Sequence, residues 1–118
     1  MLEERGIITG YGARVDRQAL GLGLTIFVEV GVARHSRENA AGVQERLLQL
    51  PGCVSCHMVS GDADFLIEMA VENLGRYEAI LTEHLLSMPE ISTVRSNFSL
   101  RSLRVGGVLD VPPAAKPD

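Results

Sequence analysis

Apolar side chains alternate with polar or small ones over residues 22 to 33, LGLTIFVEVGVA. This two-residue period is typical of a β-strand with one buried face. One face carries Leu22, Leu24, Ile26, Val28, Val30 and Val32. The other carries Gly23, Thr25, Phe27, Glu29 and Gly31. The pattern predicts a first strand with its aliphatic face in the core.

A helical spacing of three and four residues follows twice along the chain. Ser36 can cap the first helix, whose apolar stripe is Ala40, Val43, Leu47 and Leu50, and Pro51-Gly52 ends it. Asn73 can cap the second, whose stripe is Leu74, Tyr77, Leu81, Leu85 and Met88, and Pro89 ends it. Each helix is expected to bury one side.

Three further strands are predicted. Residues 53–60 and 64–71 read as a hairpin closed by a tight turn at Gly61-Asp62, and residues 91–103 read as the last strand. The order is strand, helix, strand, strand, helix, strand.

An internal repeat supports two similar halves, because LLQLPGCVSCHMVS (47–60) aligns without a gap on LLSMPEISTVRSNF (85–98). Each half is a strand-helix-strand crossover, and such connections are nearly always right-handed. Both helices must then lie on one face of a single antiparallel sheet. This predicts an α+β, ferredoxin-like βαββαβ fold.

The opposite face of the sheet is mixed in character. It is predicted to carry Thr25, Phe27, Glu29, Cys53, Ser55, His57, Leu66, Glu68, Ala70, Thr93, Arg95 and Asn97. A face that mixes apolar and paired charged residues is usually sealed by a second copy of itself. We therefore predict a homodimer with Phe27, Glu29, His57, Leu66, Glu68 and Arg95 in its interface.

The stretch CVSCH, Cys53 to His57, has the spacing of a c-type haem attachment site and contains half of a zinc or redox motif. Uninterrupted alternation would place Cys56 in the core beside Val54 and Met58, with Cys53 and His57 facing the other way. No second Cys-x-x-Cys exists, and His35 and His84 lack metal-ligand spacing. We expect no metal and no cofactor.

Composition narrows the function classes. The chain has 118 residues, 46% of them apolar, which fits one domain. A net charge of −4 gives no broad cationic surface for a nucleic acid or a membrane. No secretory signal or membrane span is recognisable. We expect a cytoplasmic protein with free thiols.

The turn Ser60-Gly61-Asp62-Ala63-Asp64 is the main chemical candidate. Its backbone N–H groups could receive a carboxylate and its two acids an ammonium, as a free amino acid requires. Alternatively, Gly61-Asp62 only closes the hairpin and Asp64 caps the turn. His57 near Glu68 could serve a small cofactor-independent enzyme, a monooxygenase or isomerase, although an ion network is the simpler interpretation. Gly10-Tyr11-Gly12 and Gly21-Leu22-Gly23 are interpreted as turn glycines.

The segments LEERGIITGYGARVDRQALGLGLTIFVEV and LPGCVSCHMVSGDADFLIEMAVENLGRYEAILTEHLLSMPEISTVRSNFSLRSL resemble the Lrp/AsnC, or feast/famine, family of transcription regulators. The resemblance covers roughly residues 2 to 104. It implies a regulatory domain that dimerises through its sheets, assembles further to tetramers or octamers, and binds amino acid effectors between dimers. It implies a ligand site at Ser60, Gly61, Asp62, Asp64, Asn97 and Ser99. The family's Cys-His pair corresponds to Cys56 and His57, which makes Cys53 incidental.

The chain departs from that family at its start, where residues 2–5 resemble only the last turn of a recognition helix. We expect residues 1–16 to be a remnant of that helix and its linker strand, and residues 17–104 to be the regulatory domain. Residues 105–118 are expected to form a C-terminal strand at 108–111 and a disordered tail. We expect no helix-turn-helix in this chain, and DNA contact would need one. A stand-alone module and a shortened regulator both fit, and the function expected is effector sensing and oligomerisation without catalysis.

Overall fold

The computed structural model describes residues 16–34, 38, 40–110 and 112–113. The described residues divide into two units, one of residues 17–100 and one that includes residues 16, 101–110 and 112–113. The first unit contains four strands, β1 (Leu24–Val32), β2 (Cys53–Met58), β3 (Phe65–Val71) and β4 (Ile91–Phe98). Its helices are α1 (Ala40–Leu48) and α2 (Leu74–Ile80), and a π-helical turn, Leu81–Leu85, continues α2.

The strands form one antiparallel sheet in the order β2-β3-β1-β4. Only β2 and β3 are neighbours both in sequence and in the sheet, because α1 separates β1 from β2 and α2 separates β3 from β4. This is the order of the ferredoxin-like fold, and it confirms the predicted βαββαβ arrangement.

One hydrophobic core lies between the sheet and both helices. The core joins alternate residues of β1 and β3 to the inner sides of the helical segments, and its fully buried members include Ile26, Val28, Val30, Ile67, Met69, Val43, Leu47, Ile80 and Leu85. Aliphatic side chains of this size contribute about 1.5–3 kcal/mol each when they leave water. The aliphatic face predicted for the first strand is therefore the core face.

The second helix begins as predicted, and its predicted stripe is confirmed at Tyr77, Leu85 and Met88, which are buried, but not at its first residue. The Asn73 side chain accepts a hydrogen bond from the backbone N–H of Arg76 at 2.9 Å, as expected of an N-cap. Leu74, predicted in the buried stripe, is 50% exposed. Ile80 is buried instead. Leu85, within the π turn, and Met88, beyond it, are buried as predicted.

The two halves of the chain match in detail. Leu47 and Leu85 are both fully buried, and each carbonyl accepts a 3.2 Å hydrogen bond from the residue three positions on, Leu50 and Met88 respectively. The carbonyls of those residues then accept 3.2 Å bonds from the first residues of β2 and β4. The repeat read in the sequence is a repeated structural unit.

A β-bulge in β2 overturns the alternation predicted for CVSCH. Cys53 is opposite Met69 but Ser55 is opposite Glu68, so Val54 is the extra residue. Beyond the bulge Cys56 is opposite Ile67, and both cysteines pack against the core. The prediction that Cys53 faces away from the core was wrong. Val54 and Met58, predicted in the core, are 50% and 72% exposed.

The same irregularity occurs in the other half of the fold. β1 and β4 shift register between Gly31 and Val32, so that Thr93 is opposite Gly31 and Ile91 is opposite Val32. Ile91 and Val94 pack against the core at the positions that Cys53 and Cys56 occupy in β2. In the last strand of each half, β2 and β4, two residues three positions apart therefore both face the core.

The strands are shorter than the sequence indicated. β2 ends at Met58 and β3 begins at Phe65, so residues 59–64 form a loop in place of the predicted two-residue turn. β4 ends at Phe98, and residues 101–110 contain no strand. The Ser36 cap, His35 and residues 1–15 lie outside the described residues. Among the described helices, none has the length and apolar character needed to cross a membrane.

Candidate functional site

Asp64 connects the loop between β2 and β3 to the end of β1. Its Oδ2 atom accepts a 2.7 Å hydrogen bond from the backbone N–H of Val32. Its own N–H donates to the Val30 carbonyl at 2.9 Å, and its carbonyl accepts from the Val59 N–H at 3.0 Å. Asp64 thus closes the loop and holds it against β1. This is the second of the two alternatives given above, in which Asp64 has a structural role in the turn.

The rest of the loop projects into solvent. Ser60, Gly61 and Asp62 are exposed. Gly61 has a φ of +110°, and no atom lies within 4 Å of the position a Cβ would take. A glycine here lets the backbone adopt a conformation that other residues rarely adopt, with its N–H and C=O groups accessible.

The predicted ligand residues fall into two separate groups. The Asn97 Nδ2 donates to the Phe27 carbonyl at 3.2 Å and to Glu29 Oε2 at 3.1 Å, and the Ser99 N–H donates to the Thr25 carbonyl at 2.9 Å. Asp64 binds Val30 on the opposite side of β1. Thr25 and Val30 are five residues apart, which is about 17 Å along a strand. One chain alone does not bring the two groups together.

The sheet face opposite the helices carries the predicted dimer residues. Phe27 is opposite Glu68, and Glu29 is opposite both Leu66 and Arg95. His57 is opposite Leu66 on the other side of β3. Phe27 is 38% exposed, and Arg95 Nη1 lies 3.9 Å from Glu29 Oε1. The face therefore mixes an accessible aromatic ring with charges of both signs.

Arg17 is a residue of this face that the sequence reasoning missed. Its Nη2 lies 2.8 Å from Glu68 Oε2, and its Nη1 donates to Thr25 Oγ1 at 3.0 Å. The other Glu68 oxygen is 3.5 Å from Ser55 Oγ. Glu68 thus forms an ion pair with a residue of the segment before β1. The period of a strand or a helix cannot indicate such a contact.

The two thiols of CVSCH are close enough to affect each other's titration. Burial raises the pKa of the Cys53 thiol. The pKa of the Cys56 thiol is raised by burial and further by the nearby Cys53. Across the described part of the chain, no group of three or more His, Cys, Asp or Glu side chains could hold a metal.

These features define a ferredoxin-like domain with one face covered by helices and one face open. A family model for the Lrp/AsnC ligand binding domain matches residues 25–109. The chain belongs to the Lrp/AsnC family of transcription regulators and contains its ligand-binding domain.

Individual relatives agree with this assignment. The chain is 34% identical over 102 residues to the Bkd operon transcriptional regulator of Pseudomonas aeruginosa, covering 86% of this chain and 67% of that protein. A transcriptional regulator from Neisseria meningitidis, solved in complex with L-Met, superposes with a TM-score of 0.67 at 26% identity, covering 87% and 66%. An AsnC family transcriptional regulator from Agrobacterium tumefaciens superposes with a TM-score of 0.72 at 27% identity, covering 94% and 71%.

The chain spans about two thirds of the length of these relatives. All three are transcriptional regulators, so the alternative of a small enzyme acting through His57 and Glu68 finds no support among them.

Proposed function

We propose that this domain senses a free amino acid and that the sheet-to-sheet homodimer is its basic unit, with the ligand bound between subunits of a larger assembly. DNA would be contacted only through a helix-turn-helix. Binding would favour one assembly over another, because a ligand can shift such an equilibrium only through different affinities for the two states.

The placement of the ligand residues is the observation that carries this proposal. Asp64 holds the loop at Val30, whereas Asn97 bonds Phe27 about 10 Å along β1 and Ser99 bonds Thr25 about 17 Å along it, both on the opposite side of the strand. One small ligand on a single chain is not expected to touch both groups. In an assembly, the loop of one subunit can lie next to Asn97 and Ser99 of a neighbouring subunit. A site of this kind exists only in the assembly, and ligand and assembly are therefore linked.

The loop has the chemistry that an amino acid requires. Gly61 leaves backbone N–H groups accessible to a carboxylate, and the exposed Asp62 can meet an ammonium group. Asp64 contributes by fixing the loop, since one of its oxygens already accepts the Val32 N–H. The related regulator from Neisseria meningitidis was solved with L-Met, an amino acid.

The open sheet face supports a two-fold dimer. Phe27 is 38% exposed on this face, and Leu66 lies diagonally from it on the neighbouring strand, so the face offers an apolar patch among its charges. Glu29 and Arg95 sit opposite each other, so a two-fold axis can place each near the partner's opposite charge.

The test is a screen of the purified chain against the twenty amino acids by thermal shift and by light scattering coupled to gel filtration. A true effector stabilises the protein by RT ln(1 + [L]/Kd), about 2.7 kcal/mol at one hundred times Kd. It should also change the distribution of dimers and larger assemblies. If no amino acid changes either stability or assembly, the sensing function is excluded for this chain.

Asp62→Ala is the variant that addresses the site directly, because Asp62 is exposed and its loss should leave the fold intact. It should weaken or abolish the response. Glu78→Ala, an exposed acid on α2, is the matched control and should respond normally. An unaltered response in D62A would move the ammonium contact to another residue.

A further inference from the structure

The two cysteines of β2 lie on one side of the sheet, next to a buried thioether. Cys53 and Cys56 are opposite Met69 and Ile67, residues two apart on β3. The Cα atoms of such same-face neighbours are about 7 Å apart along a strand. Met69 is directly opposite Cys53, at a Cα distance of about 5 Å in an antiparallel pair. The register therefore places three sulfur-bearing side chains next to one another on the core side of the sheet edge.

We propose that Cys53, Cys56 and Met69 form a binding site for a soft monovalent metal ion, with Cu(I) as the ion that this donor set fits. Thiolate and thioether sulfur select soft ions of this kind. A zinc site usually needs four ligands from Cys, His, Asp or Glu, and the described residues supply no group of even three. Copper(I) is satisfied by two thiolates and a thioether.

The spacing favours a bridging ion over a direct disulfide. Disulfide-bonded cysteines usually have Cα atoms about 4.4–6.8 Å apart and Cβ atoms about 3.5–4.5 Å apart. Cys53 and Cys56 are three residues apart across the bulge at Val54, and their partners Met69 and Ile67 are about 7 Å apart on β3, so the two cysteines are spaced by about the same distance. An ion with metal–sulfur bonds of about 2.3 Å can hold two sulfur atoms more than 4 Å apart. Both cysteines are free thiols.

An ion can reach the site because β2 is an edge strand and both cysteines are only partly buried. The Cys53 Sγ is 3.6 Å from the Ser55 carbonyl, so it leans along the strand towards Cys56. On binding, two S–H bonds break, two protons go to solvent and two copper–thiolate bonds form. The Met69 sulfur donates a lone pair, and the copper keeps its oxidation state.

The site is separate from the proposed effector loop and from the dimer face. Ser55 and His57, which alternate with the cysteines, point to the open side of the sheet, opposite Glu68 and Leu66. Metal binding and effector binding can therefore be tested independently on the same chain.

The experiment measures Cu(I) binding by the full chain under anaerobic conditions, in competition with a chromogenic Cu(I) chelator. The wild-type protein should take up one Cu(I) per chain. Cys53→Ser and Cys56→Ser should each weaken binding by roughly 100-fold or more, because a bidentate site loses its effective concentration. Met69→Leu should weaken it by about tenfold. Met58→Leu, which changes an exposed methionine on the strand of the two cysteines, should not.

A double variant controls for simple thiol binding. Ser55→Cys with Cys56→Ser keeps two thiols but places the second on the opposite face. It should bind as weakly as the single cysteine variants. Wild-type affinity in this double variant or in M69L, or a wild-type chain that takes up no copper, would overturn the proposal.

A second measurement needs no variant. Stoichiometric Cu(I) added to the wild-type chain should protect both cysteines from alkylation by iodoacetamide, as read by mass spectrometry of the peptide that contains them. Alkylation of either cysteine at its metal-free rate would also overturn the proposal.

Discussion

The carboxylate of Asp64 accepts the backbone N–H of Val32 at 2.7 Å, at the point where β1 shifts register against β4. A bulge leaves backbone groups without regular ladder partners, and buried backbone groups need a partner. Asp64 supplies one from the neighbouring loop. Asp64, which the family resemblance assigns to an effector site, is thus also a structural residue of the sheet.

Asp64→Ala should therefore destabilise the domain by about 1–3 kcal/mol, since it leaves the Val32 N–H without this partner. Asp64→Asn keeps an oxygen acceptor and should cost less. The measurement is urea unfolding followed by circular dichroism. Asp62→Ala is the control and should stay within about 0.5 kcal/mol of wild type, because Asp62 is exposed. An Asp64→Ala variant as stable as Asp62→Ala would show that the hydrogen bond contributes nothing.

Two glycines with positive φ should respond differently to alanine. Gly52 has a φ of +80°, and a Cβ there would lie 2.9 Å from Val71 Cγ1 and 3.0 Å from the Ala70 carbonyl oxygen. Gly61 has a φ of +110° with nothing within 4 Å. Gly61→Ala should cost the conformational strain alone, about 1–2 kcal/mol. Gly52→Ala should cost at least about 1 kcal/mol more because of overpacking.

The comparison uses unfolding midpoints of both variants and of Gly23→Ala, whose Cβ would meet only the Gln18 side chain at 3.9 Å and whose φ is not positive. Equal losses in G52A and G61A would contradict the steric account of the turn before β2.

The architecture could be predicted because its determinants are periodic and local. The alternation of Ile26, Val28 and Val30 and the cap at Asn73 each follow from a spacing that the sequence displays, and the structure has both. The repeat predicted two strand-helix-strand crossovers. Because such crossovers are nearly always right-handed, both helices were expected on the same face of the sheet. The exposure of Leu74, the first residue of α2, was mispredicted because its spacing from Tyr77 fits the buried stripe, and a spacing does not show how far along a helix the packing extends.

The details of the candidate site could not be predicted, because they depend on a bulge and on long-range contacts that leave no periodic pattern in the sequence. A bulge at Val54 reversed the side of Cys53, and Arg17 reached Glu68 across 51 positions of sequence. One signal could have revealed the bulge. The repeat aligns Cys53 and Cys56 with Ile91 and Val94, a pair of apolar residues three apart that an uninterrupted strand would place on opposite faces.

The proposed dimer predicts that a charge on the open face dissociates it. Leu66→Glu would bury a carboxylate in the proposed interface on the face that already carries Glu29, and two-fold symmetry would bury a second one from the partner. Gel filtration with light scattering should give a monomer for L66E. Leu86→Glu, at an exposed leucine beyond the π turn, is the control and should match wild type. A dimeric L66E that is folded by circular dichroism would exclude this face as the interface.

Tyr77 should make the stability of the domain fall in alkaline solution. Its ring is buried against Phe98 with the two ring centroids 5.7 Å apart, and its hydroxyl shares a hydrogen bond with the Ser96 hydroxyl. Burial raises the pKa of Tyr77, and the bond to Ser96 only partly offsets this. The unfolded chain then loses the tyrosine proton at about pH 10 while the folded chain still holds it. Because the folded state binds more protons there, the free energy of unfolding decreases as pH rises through this range.

The check is urea unfolding of wild type and Tyr77→Phe at a series of pH values from 8 to about 11. Phenylalanine cannot ionise and loses one hydrogen bond, so Y77F should be less stable at pH 8 by about 0.5–1.5 kcal/mol. The gap should narrow as pH rises, because only the wild type loses the contribution of the protonated hydroxyl. Tyr11 is present in both proteins, so the difference between them reports Tyr77 alone. A gap that is constant from pH 8 upward would mean that Tyr77 titrates alike in the folded and unfolded states.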